Sequence, residues 1–453
     1  MSRAAARVPL RAWLLVTVAG ALGCGTPTDR APTQTAPPAA GGSESMQVLA
    51  TQYVSLVLAM GHHDPDYVDA YYGPPEWRAA AVKRPLDDID RDAAALAGRL
   101  AADVPSEGAE PIDVLRHRYL FRQLEALRAR VKMLQRTKLS FDEESKALYD
   151  AVDPRRDVRE FEAVLARLDK ALPGPGPLLD RYTRFRNGYV IPAGRLDATF
   201  KAAIDGCRQR TLAHVSLPPG ERFTLEYVTG KSWSGYNWYQ GGYRSVIQIN
   251  TDLPIFVDRA IDLACHEGYP GHHVYNVLLE KALVRDRGWP EYQVYALFSP
   301  QSLIAEGTAN YGIEVAFPPA DRLAFEREVI FPAAGLDPAG AARYYEVMGL
   351  ADQLSYAGNE AARRYLDGEF DAKAAATWLE TYGLYSPVRA QQRVRFVDQY
   401  RSYVINYNLG KDMVARYIAA AAGDDPARRW AAFVDLLASP RLPSSLTATG
   451  AGR

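Results

Sequence analysis

Leu115, Tyr119, Leu120, Leu124, Leu127, Val131 and Leu134 recur at steps of three and four across charged residues, which predicts a helix with one apolar stripe. The same period runs through 47–60, 86–102, 155–171, 192–214, 337–356, 386–400 and 411–438. One region departs from it. Residues 223–228 and 245–250 are β-branched and alternating, and the Gly- and Tyr-rich stretch 230–243 between them supplies turns. The pattern predicts a mainly α fold carrying a small antiparallel β-sheet, whose second strand ends sixteen residues before His266. No fixed-period repeat is present.

The ends of the chain read differently. Arg3, Arg7 and Arg11 precede a short apolar run at 13–22, too short to span a membrane and of signal-peptide length. The run ends in Ala21-Leu22-Gly23-Cys24, which is similar to a bacterial lipobox. The organisation expected is a signal peptide at 1–23, a lipidated flexible tether at 24–46, a helical catalytic domain at 47–440 and a disordered tail at 441–453. The Thr-, Pro-, Ala- and Gly-rich tether has too few large apolar residues to build a core. With Gly25 after Cys24, the expected location is the outer membrane, facing the periplasm through a lipid anchor on Cys24; a soluble periplasmic or secreted protein is the alternative. Cys207 and Cys265 then remain. A chain this large needs no disulfide framework, so both read as small buried hydrophobes, with a single bridge as the open alternative.

Composition excludes one class of partner. Lys plus Arg number 53 against 54 Asp plus Glu, so there is no electrostatic reason to expect nucleic acid. The histidines point elsewhere: three of seven fall in His266-Glu267-Gly268-Tyr269-Pro270-Gly271-His272-His273. Thr251, Asp252 and Pro254 predict a helix start, and 255–269 reads as one helix with His266 and Glu267 in its last turn. A simple zinc-protease motif spaces its histidines four apart, on one helical face. Here Pro270 and Gly271 must break the helix and fold the second histidine back onto the metal. Counting two inserted residues favours His272 over His273, and the other then serves as a hydrogen-bond donor. The third ligand is expected from 302–314, a small-residue helix with Glu306, Asn310 and Glu314 on one face; Glu306 is the candidate, Asn310 and Glu314 its supports. His62 and His63 beside Asp64-Pro65-Asp66 read as a surface loop.

These residues carry a resemblance. His-Glu-x-Tyr-Pro-Gly-His-His, followed some thirty residues on by Glu306-Gly307-x-Ala309-x-Tyr311, resembles the domain of unknown function 885 family, relatives of the zincin metallopeptidases. The segments His63 to Pro74, Ile249 to Pro254 and Tyr407-Asn408-Leu409-Gly410-Lys411 fit as well, so the likeness spans about 47 to 420. It implies a zincin-like multi-helix fold and one Zn2+ per chain. The reaction expected is hydrolysis of short or extended peptides by zinc-activated water, with Glu267 as general base and Tyr407 or the spare histidine as oxyanion donor. The strand 245–250 is expected to border the cleft and pair with an extended peptide. A zinc amidase acting on cell-wall amides and a catalytically silent metal-binding lipoprotein are the alternatives. The sequence leaves the oligomeric state open.

Overall fold

Helices account for most of residues 45–447, which are the residues that this computed structural model describes. The signal peptide, Cys24 and nearly all of the expected tether lie outside them. Those elements that frame the site are, in chain order, α1 (Met46–Met60), β1 (Val68–Tyr71), α2 (Leu86–Ala102), α3 (Pro111–Leu134), α4 (Leu196–Leu212), β2 (Arg222–Val228), β3 (Gly235–Gly241), β4 (Arg244–Asn250), α5 (Asp258–Leu263), α6 (His272–Leu279), β5 (Val294–Ala296), α7 (Pro300–Ala316), α8 (Pro387–Tyr400) and α9 (Ile405–Ala422). No described helix is long and apolar enough to cross a membrane.

The stripe read from the sequence is what packs. On α3, Tyr119, Leu120, Leu124, Leu127 and Val131 are buried, against Ile89, Ala93, Leu96 and Leu100 of α2, in a core that continues through α7 and α9. The period at 411–438 belongs to two helices rather than one. Gly423 ends the first at a positive φ of +59°, and the Asp425 side chain caps a new helix, Pro426–Leu437. The expected tail is ordered to Thr447: Pro443–Thr447 is a short helix, with Leu442 and Leu446 buried in the core.

The expected sheet lies beside the histidine segment, with a different pairing. β3 turns back antiparallel onto β4, from Gly235 opposite Ile249 to Gly241 opposite Arg244. β2 pairs with the far side of β4 in parallel, Phe223 opposite Ser245. Most of the stretch expected to supply turns is itself the strand β3, so 245–250 is the centre of the sheet and both its edges are already bonded. It is β3 whose residues border the cleft. A second, two-stranded antiparallel sheet joins β1 to β5.

α7 and α9 come unusually close. A Cβ added at Gly307 would lie 2.6 Å from the backbone of Gly410, so the pair of glycines lets the two backbones touch and sets α9 against the face of α7 that carries Glu306.

Candidate metal centre

α5 starts later than the sequence suggests because 255–257 are engaged elsewhere: Ile191 N–H donates to the Ile255 carbonyl and Val257 N–H to Tyr189. After Leu263 the helix widens into a π turn, Ala264–Gly268. Tyr269 is extended, at φ −116° and ψ 117°, and its peptide bond to Pro270 is cis. Gly271 N–H then donates back to the Cys265 carbonyl over 2.9 Å, and a Cβ at this position would overlap the His266 carbonyl. α6 restarts at His272. His266 and His272 face each other as a result, their Nε2 atoms 3.1 Å apart.

Glu306 completes the group. Its Oε2 lies 3.3 Å from His266 Nε2 and 3.6 Å from His272 Nε2, and the three donor atoms all lie within 4.8 Å of one another. Tyr403 donates to Oε1 over 2.8 Å. Oε2 is buried and accepts no well-formed hydrogen bond, a costly state for a carboxylate oxygen. Two imidazole nitrogens and one carboxylate oxygen are a donor set that suits zinc with a fourth position open. The field agrees. Burial pulls the His272 imidazolium down, yet Glu306, Glu267 and Asp69 outweigh it and hold the group up at about 9. Burial likewise pushes the Glu306 carboxyl up, and His272 and His266 bring it well below the ordinary range. This is a point that draws positive charge.

Asn310, one turn after Glu306, fixes the first histidine. Its amide N–H donates to the Tyr407 carbonyl over 3.2 Å, which turns Oδ1 towards His266 Nδ1 at 3.1 Å. Nδ1 then carries the proton, and the Nε2 lone pair points at the centre. Glu267 is 4 % exposed, its Oε1 4.0 Å from His266 Nε2. Burial pushes its carboxyl up, with the two histidines opposing. Its backbone carbonyl, at the end of the helix, accepts from the Asn237 amide over 2.7 Å.

Three expectations need correction. His273 does not face the centre: one residue beyond His272 it is turned by about 100°, its Nδ1 on Ser245 Oγ at 2.9 Å and its Nε2 on Glu221 Oε2 at 3.0 Å. It ties α6 to the sheet and is neither placed to bind the metal nor to touch substrate. Glu314 is half exposed and pairs with Lys411 Nζ at 2.6 Å, so it orients neither histidine. Cys207 and Cys265 are fully buried, as expected, but joined in a disulfide that ties α4 to the π turn. His62 and His63 are spent on the carbonyls of Ala81 and Arg84.

The centre opens into a cleft of about 720 Å³, lined also by Tyr407 and by Asp69 of β1. Burial raises the Asp69 carboxyl to about 7, aided by Glu306 and Glu267 and opposed by His272, and the Tyr236 hydroxyl donates to it. The Tyr407 hydroxyl is pushed well above its usual range by burial and by Glu306, so it stays protonated. Asp69, Asn237 and Tyr403 escaped sequence reasoning. Each is separated by dozens to hundreds of residues from the group it serves, and no local spacing marks it.

No protein-family model matches the chain, and no curated protein matches it. Among solved structures it is similar to a presumed lipoprotein from Colwellia psychrerythraea (13% identity, TM-score 0.48, covering 78% of this chain and 69% of that one). It is also similar to a presumed lipoprotein of unknown function from Shewanella oneidensis (12%, 0.41, 80% and 74%), and to an M32 carboxypeptidase from Deinococcus radiodurans R1 (14%, 0.34, 86% and 88%). TM-scores this low leave the fold and activity of this chain to its own residues.

Proposed function

We propose that this chain is a zinc-dependent peptide hydrolase, a zincin-like relative of the domain of unknown function 885 family, exported and held at the membrane through Cys24. The observation that carries the reading is the buried Oε2 of Glu306, which accepts no well-formed hydrogen bond and converges on His266 and His272. His266, His272 and Glu306 would hold the ion; bound there, zinc supplies a Lewis acid that polarises a carbonyl and acidifies a water. Glu267 stands next to the ligands, buried enough to have a raised affinity for a proton. It takes the proton from the attacking water and returns it to the leaving amine. Tyr407, protonated and in the cleft, donates to the oxygen of the substrate carbonyl as negative charge develops there. A structural site tends to be closed by four protein ligands and has no use for a buried glutamate beside them. The disulfide supports export, since such bonds persist in oxidising compartments.

The test is metal content by mass spectrometry on wild-type protein and the Glu267→Gln and His266→Ala variants, each also incubated with a mixed peptide library. About one zinc per chain in the first two, none in the third, and cleavage by wild type alone is the expected result. A wild type that takes up no zinc, or a Glu267→Gln variant that cleaves normally, overturns the reading.

A further inference from the structure

α8 presents Arg389, Arg393, Phe396 and Tyr400 at steps of three and four, and all four line the cleft that holds the His266, His272 and Glu306 group. Like charges at this spacing repel, and no ion pair relieves them. Among the described residues, neither guanidinium pairs with a carboxylate or donates a hydrogen bond. Each lies instead against aromatic rings: Arg393 4.8 Å from the centre of Phe396 and 5.8 Å from that of Tyr407, Arg389 5.9 Å from that of Phe256. The Nε of Arg393 is buried without an acceptor.

Arg389 is crowded by further cations. Burial, Arg186 and Arg259 together pull its pKa down, and Arg259 lines the same cleft. Asp258, whose field reaches Arg389, is already committed to the Tyr344 hydroxyl at 2.6 Å and to Arg186 at 3.5 Å. Two half-buried guanidiniums on one wall of the cleft, neither held by an ion pair or a hydrogen bond, are what a site for an anion looks like before the anion arrives. Tyr407 connects this wall to the centre. Its ring lies near Arg393, its hydroxyl feels Glu306 and Glu267, and its carbonyl holds the Asn310 amide that orients His266.

We propose that Arg389 and Arg393 form a carboxylate-binding subsite that anchors a peptide in the cleft by a free carboxylate, terminal or side-chain. The planar fork of a guanidinium matches a carboxylate with two parallel hydrogen bonds. The choice of a peptide rests on the hydrolase reading; the site for a carboxylate does not.

Calorimetric titration of the zinc-loaded Glu267→Gln protein with trialanine, trialanine amide and Ala-Ala-Glu amide tests it. The amide of trialanine is expected to bind about ten- to a hundredfold more weakly than the free acid. Arg389→Gln and Arg393→Gln should erase that difference by weakening the acid alone, and Arg393→Lys should restore part of it. Recovery of affinity by Ala-Ala-Glu amide assigns the subsite to a side-chain carboxylate, and no recovery assigns it to the chain end. Zinc content and melting temperature verify that each variant is folded, and the comparison of acid with amide needs no arginine variant. Equal affinity for acid and amide, a preference that survives both glutamine variants, or no binding of any peptide overturns the proposal. Carboxylate-dependent binding without cleavage by the Glu267 protein would leave the subsite standing and sink the hydrolase.

Discussion

His266 and His272 stand six residues apart in the chain with their Nε2 atoms 3.1 Å from each other. A straight helix would carry positions at that spacing about 9 Å apart along its axis. The π turn and the Tyr269-Pro270-Gly271 reversal remove that distance, and the centre depends on them.

Adjacent histidines should therefore behave differently. His272→Ala is expected to lose zinc while remaining folded. His273→Ala should retain zinc in its folded fraction and lose about 2–3 kcal/mol of stability, because it empties a fully buried site, leaves the Ser245 hydroxyl without its partner and takes from Glu221 Oε2 one of its two donors. Metal analysis and urea denaturation of the two variants distinguish the roles.

Gly271→Ala tests the reversal itself. Its Cβ would collide with the His266 carbonyl, so the chain must shift where the first ligand is held. A destabilisation of about 1–3 kcal/mol or more is expected, together with loss of zinc at concentrations that saturate the wild type. A zinc titration at constant pH measures the second effect.

Asn310 touches no metal in this arrangement, yet Asn310→Ala should weaken zinc binding about 10–100-fold by freeing the His266 ring and its tautomer. Competition with a chelator of known affinity gives the number. The fold should be nearly unaffected.

The Glu221 and His273 pair sets an acid limit. Burial raises the Glu221 carboxyl, but hydrogen bonds from His273, Tyr269 and Arg208 outweigh it and leave the folded pKa below the ordinary 4.5. A depressed carboxylate contributes stability that is complete above pH 4.5 and lost as pH falls through the folded value. Glu221→Gln should lower stability at neutral pH and flatten the decline below pH 4.5, as followed by urea midpoints across that range.

The disulfide closes a separation of 58 residues, for which loop-closure entropy gives about 4 kcal/mol. The Cys207→Ser, Cys265→Ser double variant should show that loss in urea. Its folded fraction should still bind zinc, since both sulfurs are spent on each other.

The histidine segment, Glu306 and Asn310 were legible because their signals are local: a rare residue clustered, a breaker between ligands, carboxylate and amide on one face of an apolar helix. Helical stripes were legible for the same reason, since the period of three to four depends only on which face is buried. The sequence by itself thus determined the mainly helical architecture, the position of the break and the residue types available for a metal. Which of His272 and His273 turns inward was decided by the angle of the reversal, a property of the folded backbone. That β4 lies at the centre of its sheet, that Cys207 meets Cys265, and that Asp69, Asn237 and Tyr403 reach the centre are contacts across dozens to hundreds of residues. Nothing near those residues in the chain encodes them, because each depends on where separate helices and strands come to rest around one core.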